Sequence, residues 1–127
     1  MSPRAPLDGL RILIVEDQFL IAGDLSRAVT ALGATVVGPC PTVETAQAML
    51  AGRPVDFAVL DLNLRGDQVF PVAEELKRRA IPFAFATGYE AWVIPPEFQE
   101  RPLLHKPVSP AELERTLTGL RVARRGN

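Results

Sequence analysis

Glu16-Asp17, Asp61 and Lys106 are the residues of this chain whose types and positions can act together chemically, because each closes a short apolar run. Ile12-Leu13-Ile14-Val15 runs into the acidic pair, Phe57-Ala58-Val59-Leu60 into Asp61, and Leu103-Leu104-His105 into Lys106-Pro107. Short apolar runs that alternate with helical patterns read as buried parallel strands, so their carboxyl ends share one edge. In an open α/β sheet that edge is where ligands bind. Three carboxylates gathered there repel one another by about 3 kcal/mol per pair at roughly 5 Å and an effective dielectric of about 20. A divalent cation removes that repulsion. Oxygen-only donors with open positions suit Mg²⁺ or Mn²⁺, hard ions that also bridge phosphate oxygens. The chemistry implied is phosphoryl transfer.

The elements that must position these residues follow from periodicity. After the first strand, Ile21, Leu25, Ala28, Val29 and Leu32 repeat at helical spacing, with Gly33 as a stop. Thr35-Val36-Val37 forms a second strand closed by Gly38-Pro39. Cys40, between Pro39 and Pro41, reads as a loop residue with no cysteine to pair with and no set of zinc ligands. Thr42 caps a second helix carrying Val43, Ala46, Met49 and Leu50, with Glu44 in its first turn. A third strand spans about 55–60, and Asn63, Arg65, Gly66 and Asp67 make a loop. Val69, Val72, Ala73, Leu76 and Ala80 then form the inner face of a third helix, which tolerates Pro71 in its first turn.

Phe83 to Thr87 is the fourth strand, running into Gly88. Over 89–101 the pattern weakens: Ala91-Trp92-Val93-Ile94 begins a helix that Pro95-Pro96 must end, so the fourth helix is expected to be irregular. Trp92, Ile94 and Phe98 are either an exposed partner patch or a cover for the sheet. Leu103 to His105 is the last strand. Ser109-Pro110-Ala111-Glu112 combines an N-cap, a proline at the first helical position and a capping-box glutamate, for a helix lined by Leu113, Leu117 and Leu120. The whole implies an α/β fold: five parallel strands in one sheet, covered on both faces through right-handed crossovers.

Composition narrows the function classes. A chain of 127 residues that is 47% hydrophobic and 23% charged fits one globular domain with a real core and leaves little for a second. A net charge of −1 with interspersed signs lacks the electrostatic footprint of a nucleic-acid binder. The basic tail Arg121, Arg124, Arg125 reads as a helix end complementing its own dipole. No apolar stretch approaches membrane-spanning length, and the first residues lack the apolar segment of a signal peptide, so a cytoplasmic protein without membrane contact is expected.

With these residues in order at successive strand ends, the chain resembles a response regulator receiver domain over about 10–121. Phe85-Ala86-Thr87-Gly88-Tyr89 is further similar to the signature of the FAT-GUY subfamily, stand-alone receivers of alphaproteobacterial stress signalling. The resemblance implies a flavodoxin-like (βα)5 doubly wound sheet in one receiver domain, 1–127, with no output domain. It makes Asp61 the phosphoacceptor and gives the metal, Mg²⁺ or Mn²⁺, to Glu16, Asp17, Asp61 and the backbone carbonyl of Asn63. Lys106 would pair with Asp61 and then with the phosphate, Thr87 would donate a hydroxyl hydrogen bond to it, and the Lys106-Pro107 bond is expected to be cis.

Thr87, Tyr89 and position 103 would form the switch, but position 103 is Leu where relatives commonly carry an aromatic. His105, adjacent to Lys106 on a strand, points to the opposite face and reads as structural. The implied donor is a sensor or hybrid histidine kinase or a histidine phosphotransfer protein. The output is phosphorylation-dependent binding of a downstream protein, or action as a phosphate sink, without enzymatic turnover. Two other classes compete: a small Mg-dependent phosphohydrolase and a phosphorylation-independent interaction module. Haloacid-dehalogenase-like hydrolases need a second aspartate two residues after the nucleophile, where this chain has Asn63.

Overall fold

Five short apolar runs become the strands of the computed structural model, and amphipathic segments between them become its helices. Residues 5–64, 67–88 and 94–125 are described. In chain order they form β1 (Arg11–Val15), α1 (Phe19–Ala31), β2 (Thr35–Cys40), α2 (Val43–Gly52), β3 (Phe57–Asp61), α3 (Phe70–Arg78), β4 (Phe83–Thr87), a 3₁₀ turn (Pro96–Phe98), β5 (Leu103–His105) and α4 (Pro110–Arg125). Every strand pairing is parallel, in the order β2-β1-β3-β4-β5. This is the flavodoxin-like, doubly wound arrangement expected from the alternation of strands and helices. The order reverses beside β1, so a crevice opens between the carboxyl ends of β1 and β3, where such sheets bind ligands.

Strand alternation divides the core into two layers. Leu13, Val15, Leu60, Phe83 and Phe85 face α2 and α3, meeting Ala46, Leu50, Val72, Ala73 and Leu76. Ile12, Ile14, Phe57, Val59, Ala84 and Ala86 face α1 and α4, meeting Leu25, Val29, Leu113 and Leu117. β4 shows the asymmetry plainly, with phenylalanines on one face and alanines on the other. The Thr42 side chain accepts from Thr45 N, and the Thr45 hydroxyl accepts from Thr42 N, a reciprocal cap that starts α2 where expected. Ser109 caps α4 by accepting from Glu112 N at 3.0 Å, while the Glu112 carboxylate lies 3.4 Å from the His105 amide, tying helix to strand.

Several local expectations are corrected. β2 does not end at Gly38-Pro39: it continues to Cys40, which pairs with Val15 and is buried, so Cys40 belongs to the core and not to a loop. The strand passes this point with a register shift, a cis Gly38-Pro39 bond and Gly38 at φ 104°. A Cβ at Gly38 would lie 2.7 Å from the Cys40 amide nitrogen and 3.1 Å from the Ile14 carbonyl oxygen, so only glycine fits. Ala80 lies beyond the end of α3, exposed and at φ 58°, and not on the helix's inner face. Arg121 donates to the Pro6 carbonyl at 2.7 Å, holding the N-terminal segment; the side chains of Arg124 and Arg125 lie outside the described residues.

Of the weak stretch 89–101, Tyr89, Ala91, Trp92 and Val93 lie outside the described residues, as do Arg65 and Gly66 in the loop after β3. Where a fourth crossover helix was expected to be irregular, the described residues contain only the 3₁₀ turn. Phe98 is 1% exposed and Ile94 packs against the same core, so these two cover the sheet and form no exposed patch.

Candidate functional site

β1 delivers Glu16 and Asp17 to the crevice because its last core residue, Val15, ends one position before them. β3 ends on Asp61 itself. Oxygen atoms of Glu16, Asp17 and Asp61 all lie within 4.8 Å of one another. Glu16 and Asp61 are 2% and 1% exposed, so both are withdrawn from water. Lys106, the residue after β5, reaches across the end of β4 to both: its Nζ lies 2.7 Å from Glu16 Oε1 and 3.0 Å from Asp61 Oδ1. The Lys106 amide donates to the Thr87 carbonyl at 2.7 Å, which seats the lysine backbone against the end of β4. Thr87 is buried there, and the Lys106-Pro107 bond is cis as expected.

Backbone donors complete the carboxylate shells. The Gln18 amide donates to Glu16 Oε2 at 3.0 Å, and the Asn63 amide to Asp61 Oδ1 at 2.9 Å. Asp61 Oδ1 thus holds two donors, whereas its Oδ2 is buried with no hydrogen-bond partner among the described residues. Burial pushes the Glu16 carboxyl up from 4.5 to about 7, against the lowering effect of its Lys106 and Gln18 hydrogen bonds, and Asp61 raises it further. For Lys106, burial works against the charge, but its bonds to Glu16 and Asp61 outweigh that and hold the ammonium above its ordinary value. The site is therefore short of positive charge around two buried acids.

That deficit is what a hard divalent cation supplies. The donor set is all oxygen, from two adjacent strands, and its carboxylates outnumber the single ammonium that meets them, so Mg²⁺ or Mn²⁺ fits the residues present. Asn63, exposed after β3, brings its amide to Asp61. Of the residues expected at the switch, Leu103 lies half-buried in β5 against the phenylalanine layer, Thr87 closes β4, and Tyr89 lies outside the described residues. His105 is exposed and away from the acidic cluster's ion pairs.

The fold of this chain recurs among solved structures. The solution structure of SdrG from Sphingomonas melonis Fr1 is 41% identical with a TM-score of 0.80, over 94% of this chain and 98% of that one. The PhyR response regulator REC domain from Erythrobacter litoralis, 24% identical, superposes with a TM-score of 0.80 over 91% of this chain and 92% of that one. The chain is a response regulator receiver domain. SdrG is also known in a BeF3-activated conformation, to which this receiver domain is 40% identical with a TM-score of 0.74 over 94% of its length and 98% of that chain. Sensory transduction protein LytT from Bacillus subtilis (strain 168) is 28% identical over 112 residues, 85% of this chain. The receiver domain spans only 46% of that curated relative's length. No family model matches the sequence. Among the described residues no helix is long and apolar enough to cross a membrane.

Two features of the site were not drawn from the sequence. The Gln18 amide leaves no side-chain signal. Phe19 and Leu20, 87% and 77% exposed at the start of α1, border a cleft of about 520 Å³ with Asp17, Gln18, Pro41 and Thr42. They had a signal: both stand off the Ile21-Leu25-Ala28 stripe that faces the core.

Proposed function

We propose that this receiver domain accepts a phosphoryl group on Asp61 from a phosphohistidine of a sensor or hybrid histidine kinase, or of a histidine phosphotransfer protein, and signals as a regulator of the FAT-GUY type. The observation that carries the reading is Asp61 itself: one oxygen is saturated by Lys106 and the Asn63 amide, and the other is buried without a hydrogen-bond partner among the described residues. Oδ2 attacks phosphorus, the donor's P–N bond breaks as the new P–O bond forms, and the imidazole leaves with the electron pair and takes a proton from solvent. Mg²⁺ held by Asp17, Asp61, Glu16 and the Asn63 carbonyl would neutralise charge on the phosphoryl oxygens during transfer. Lys106 shifts its pairing towards the new phosphoryl dianion, and the Thr87 hydroxyl donates to one of its oxygens.

Exposed Phe19 and Leu20 beside the cleft give the donor protein an apolar surface to dock on. The FAT-GUY assignment is supported by Phe85-Ala86-Thr87-Gly88-Tyr89. Output then runs through a downstream protein partner or through withdrawal of phosphoryl groups from the kinase. The test is phosphoryl uptake from acetyl phosphate or a phosphorylated kinase: one alkali-labile phosphate per chain without turnover, lost in Asp61→Asn with the fold intact. Stoichiometric uptake by Asp61→Asn, or continuous release of phosphate by the native chain, would overturn the reading.

A further inference from the structure

β2 gains one residue on β1 just before the acidic pair. Between the pairs Leu13–Val37 and Val15–Cys40, β1 advances two residues and β2 three, which makes a β-bulge. Side chains alternate faces along a regular strand, so without the extra residue Pro39 would stand opposite Val15 and Cys40 would turn away from the α2 and α3 layer. With it, Val37 and Cys40 both face that layer and both are buried. Burial pushes the Cys40 thiol up from its ordinary value, against the lowering effect of a hydrogen bond with Thr45, so the side chain is a neutral packing group.

The consequence reaches the site through the backbone. The Glu16 amide donates to the Cys40 carbonyl at 2.9 Å, so the ladder between β1 and β2 runs one rung past the end of β1 and closes on the acid itself. Glu16 is thus held at both ends: its amide by Cys40, its carboxylate by Lys106 Nζ at 2.7 Å and by the Gln18 amide at 3.0 Å. Pro41 and Thr42, which follow the bulge, wall the cleft beside Asp17 and Gln18. Gly38 makes room for the arrangement, since a Cβ there would lie 3.0 Å from the Cys40 sulfur and 2.7 Å from the Cys40 amide nitrogen. Gly38 and Cys40 are fitted to each other, and added bulk at either presses on the residue whose carbonyl Glu16 uses.

We propose that the Gly38–Cys40 bulge positions the acidic pair for its metal ion, with Cys40 as the positioning residue: its buried side chain seats the strand, and its carbonyl fixes where Glu16 and Asp17 leave β1. Cys40 touches no reacting atom. Groups that orient metal ligands without binding the ion set affinity by about ten- to a hundredfold, and bulges beside active sites re-aim side chains in this way.

The inference rests on the reading of Glu16 and Asp17 as metal ligands, so its test separates the two. Gly38→Ala and Cys40→Val, which adds a methyl group at a buried position, are compared with Val29→Ala, which removes core volume at the far end of α1. Folding of each is checked by circular dichroism. Metal affinity is read by Mn²⁺ relaxation with Mg²⁺ in competition. In chelator, hydrogen exchange of the Glu16 amide is read against that of Leu62, whose amide donates to the Ala86 carbonyl at 2.9 Å beyond the end of β3. In both bulge variants Glu16 exchange is expected to rise at least about tenfold relative to Leu62, and metal affinity to fall about tenfold. In Val29→Ala the two amides are expected to move together, with affinity within about twofold of native. Folded bulge variants in which either quantity stays native, or an equal loss of affinity in Val29→Ala, would overturn the positioning role alone. A native chain that binds no Mn²⁺ would overturn the metal reading and the role with it.

Discussion

Replacing Lys106 with Met leaves a side chain of similar length without the charge that Glu16 and Asp61 share. At about 3 Å and an effective dielectric of about 20 each contact is worth roughly 5–6 kcal/mol of Coulomb energy, most of it offset by desolvation. Removing one partner of a buried pair costs about 3–5 kcal/mol, because the desolvated charges stay behind. Here the cost is pH-dependent, since Glu16 is already raised to about 7 by burial. A carboxyl whose folded value exceeds its unfolded value near 4.5 contributes stability that is complete below about 4.5 and lost as pH rises through about 7. Without Lys106 the folded value climbs further and the loss deepens. The Lys106→Met penalty should therefore be small at about pH 5 and reach about 3–5 kcal/mol at about pH 8. For a chain of this size that is a fall in midpoint of about 12–20 °C. Urea and thermal unfolding of both proteins, in chelator, across this pH range measures it. A penalty of equal size at both ends would refute the argument that an uncompensated buried carboxylate is its source.

Other perturbations address the site's edge and its surroundings. Asp17→Ala should abolish Mg²⁺ binding, read by Mn²⁺ competition in water-proton relaxation. In the native chain the affinity should strengthen as pH rises towards about 7, because Glu16 must release its proton to solvent before it can hold the ion. Gly38→Ala places a Cβ 2.7 Å from the Cys40 amide nitrogen at φ 104°, and chemical unfolding should show a loss of at least about 1–3 kcal/mol. Phe19→Ser with Leu20→Ser should leave stability within about 0.5 kcal/mol, since both side chains are exposed. It should slow transfer from a phosphorylated kinase while uptake from acetyl phosphate stays the same.

How much of this was legible in the sequence depended on whether the signal was local. β4 and β5 were placed at their observed ends because Phe83 to Thr87 and Leu103 to His105 are bounded by Pro82, Gly88, Pro102 and the charged Lys106. The acidic cluster was legible because strand ends in a parallel sheet must share an edge. β2 was cut short because Gly38-Pro39 has the composition of a turn, while its actual role, a distortion inside an edge strand, depends on the neighbouring Ile14 backbone. Ala80 was misplaced because helical spacing extends past the residue where α3 ends at Arg78. Phe98 could not be assigned, since whether a lone aromatic between prolines faces out or in is decided by Phe70, Phe83 and Phe85, all distant in sequence.

Lys106 starts at the sheet's edge and ends over its middle, spanning β4 to meet an acid from β3 and another from β1. Neighbouring strands lie about 4.8 Å apart, so the side chain works as a strut across two intervals. β5 itself is three residues long and held along one side only. Its position is thus fixed partly by backbone pairing and partly by a tether whose far end is the reactive centre. The width of this part of the sheet is set accordingly: a strand inserted between β3 and β5 would carry the ammonium out of reach of both acids. Growth of the architecture on that side is confined to what can be added beyond the outer edge of β5.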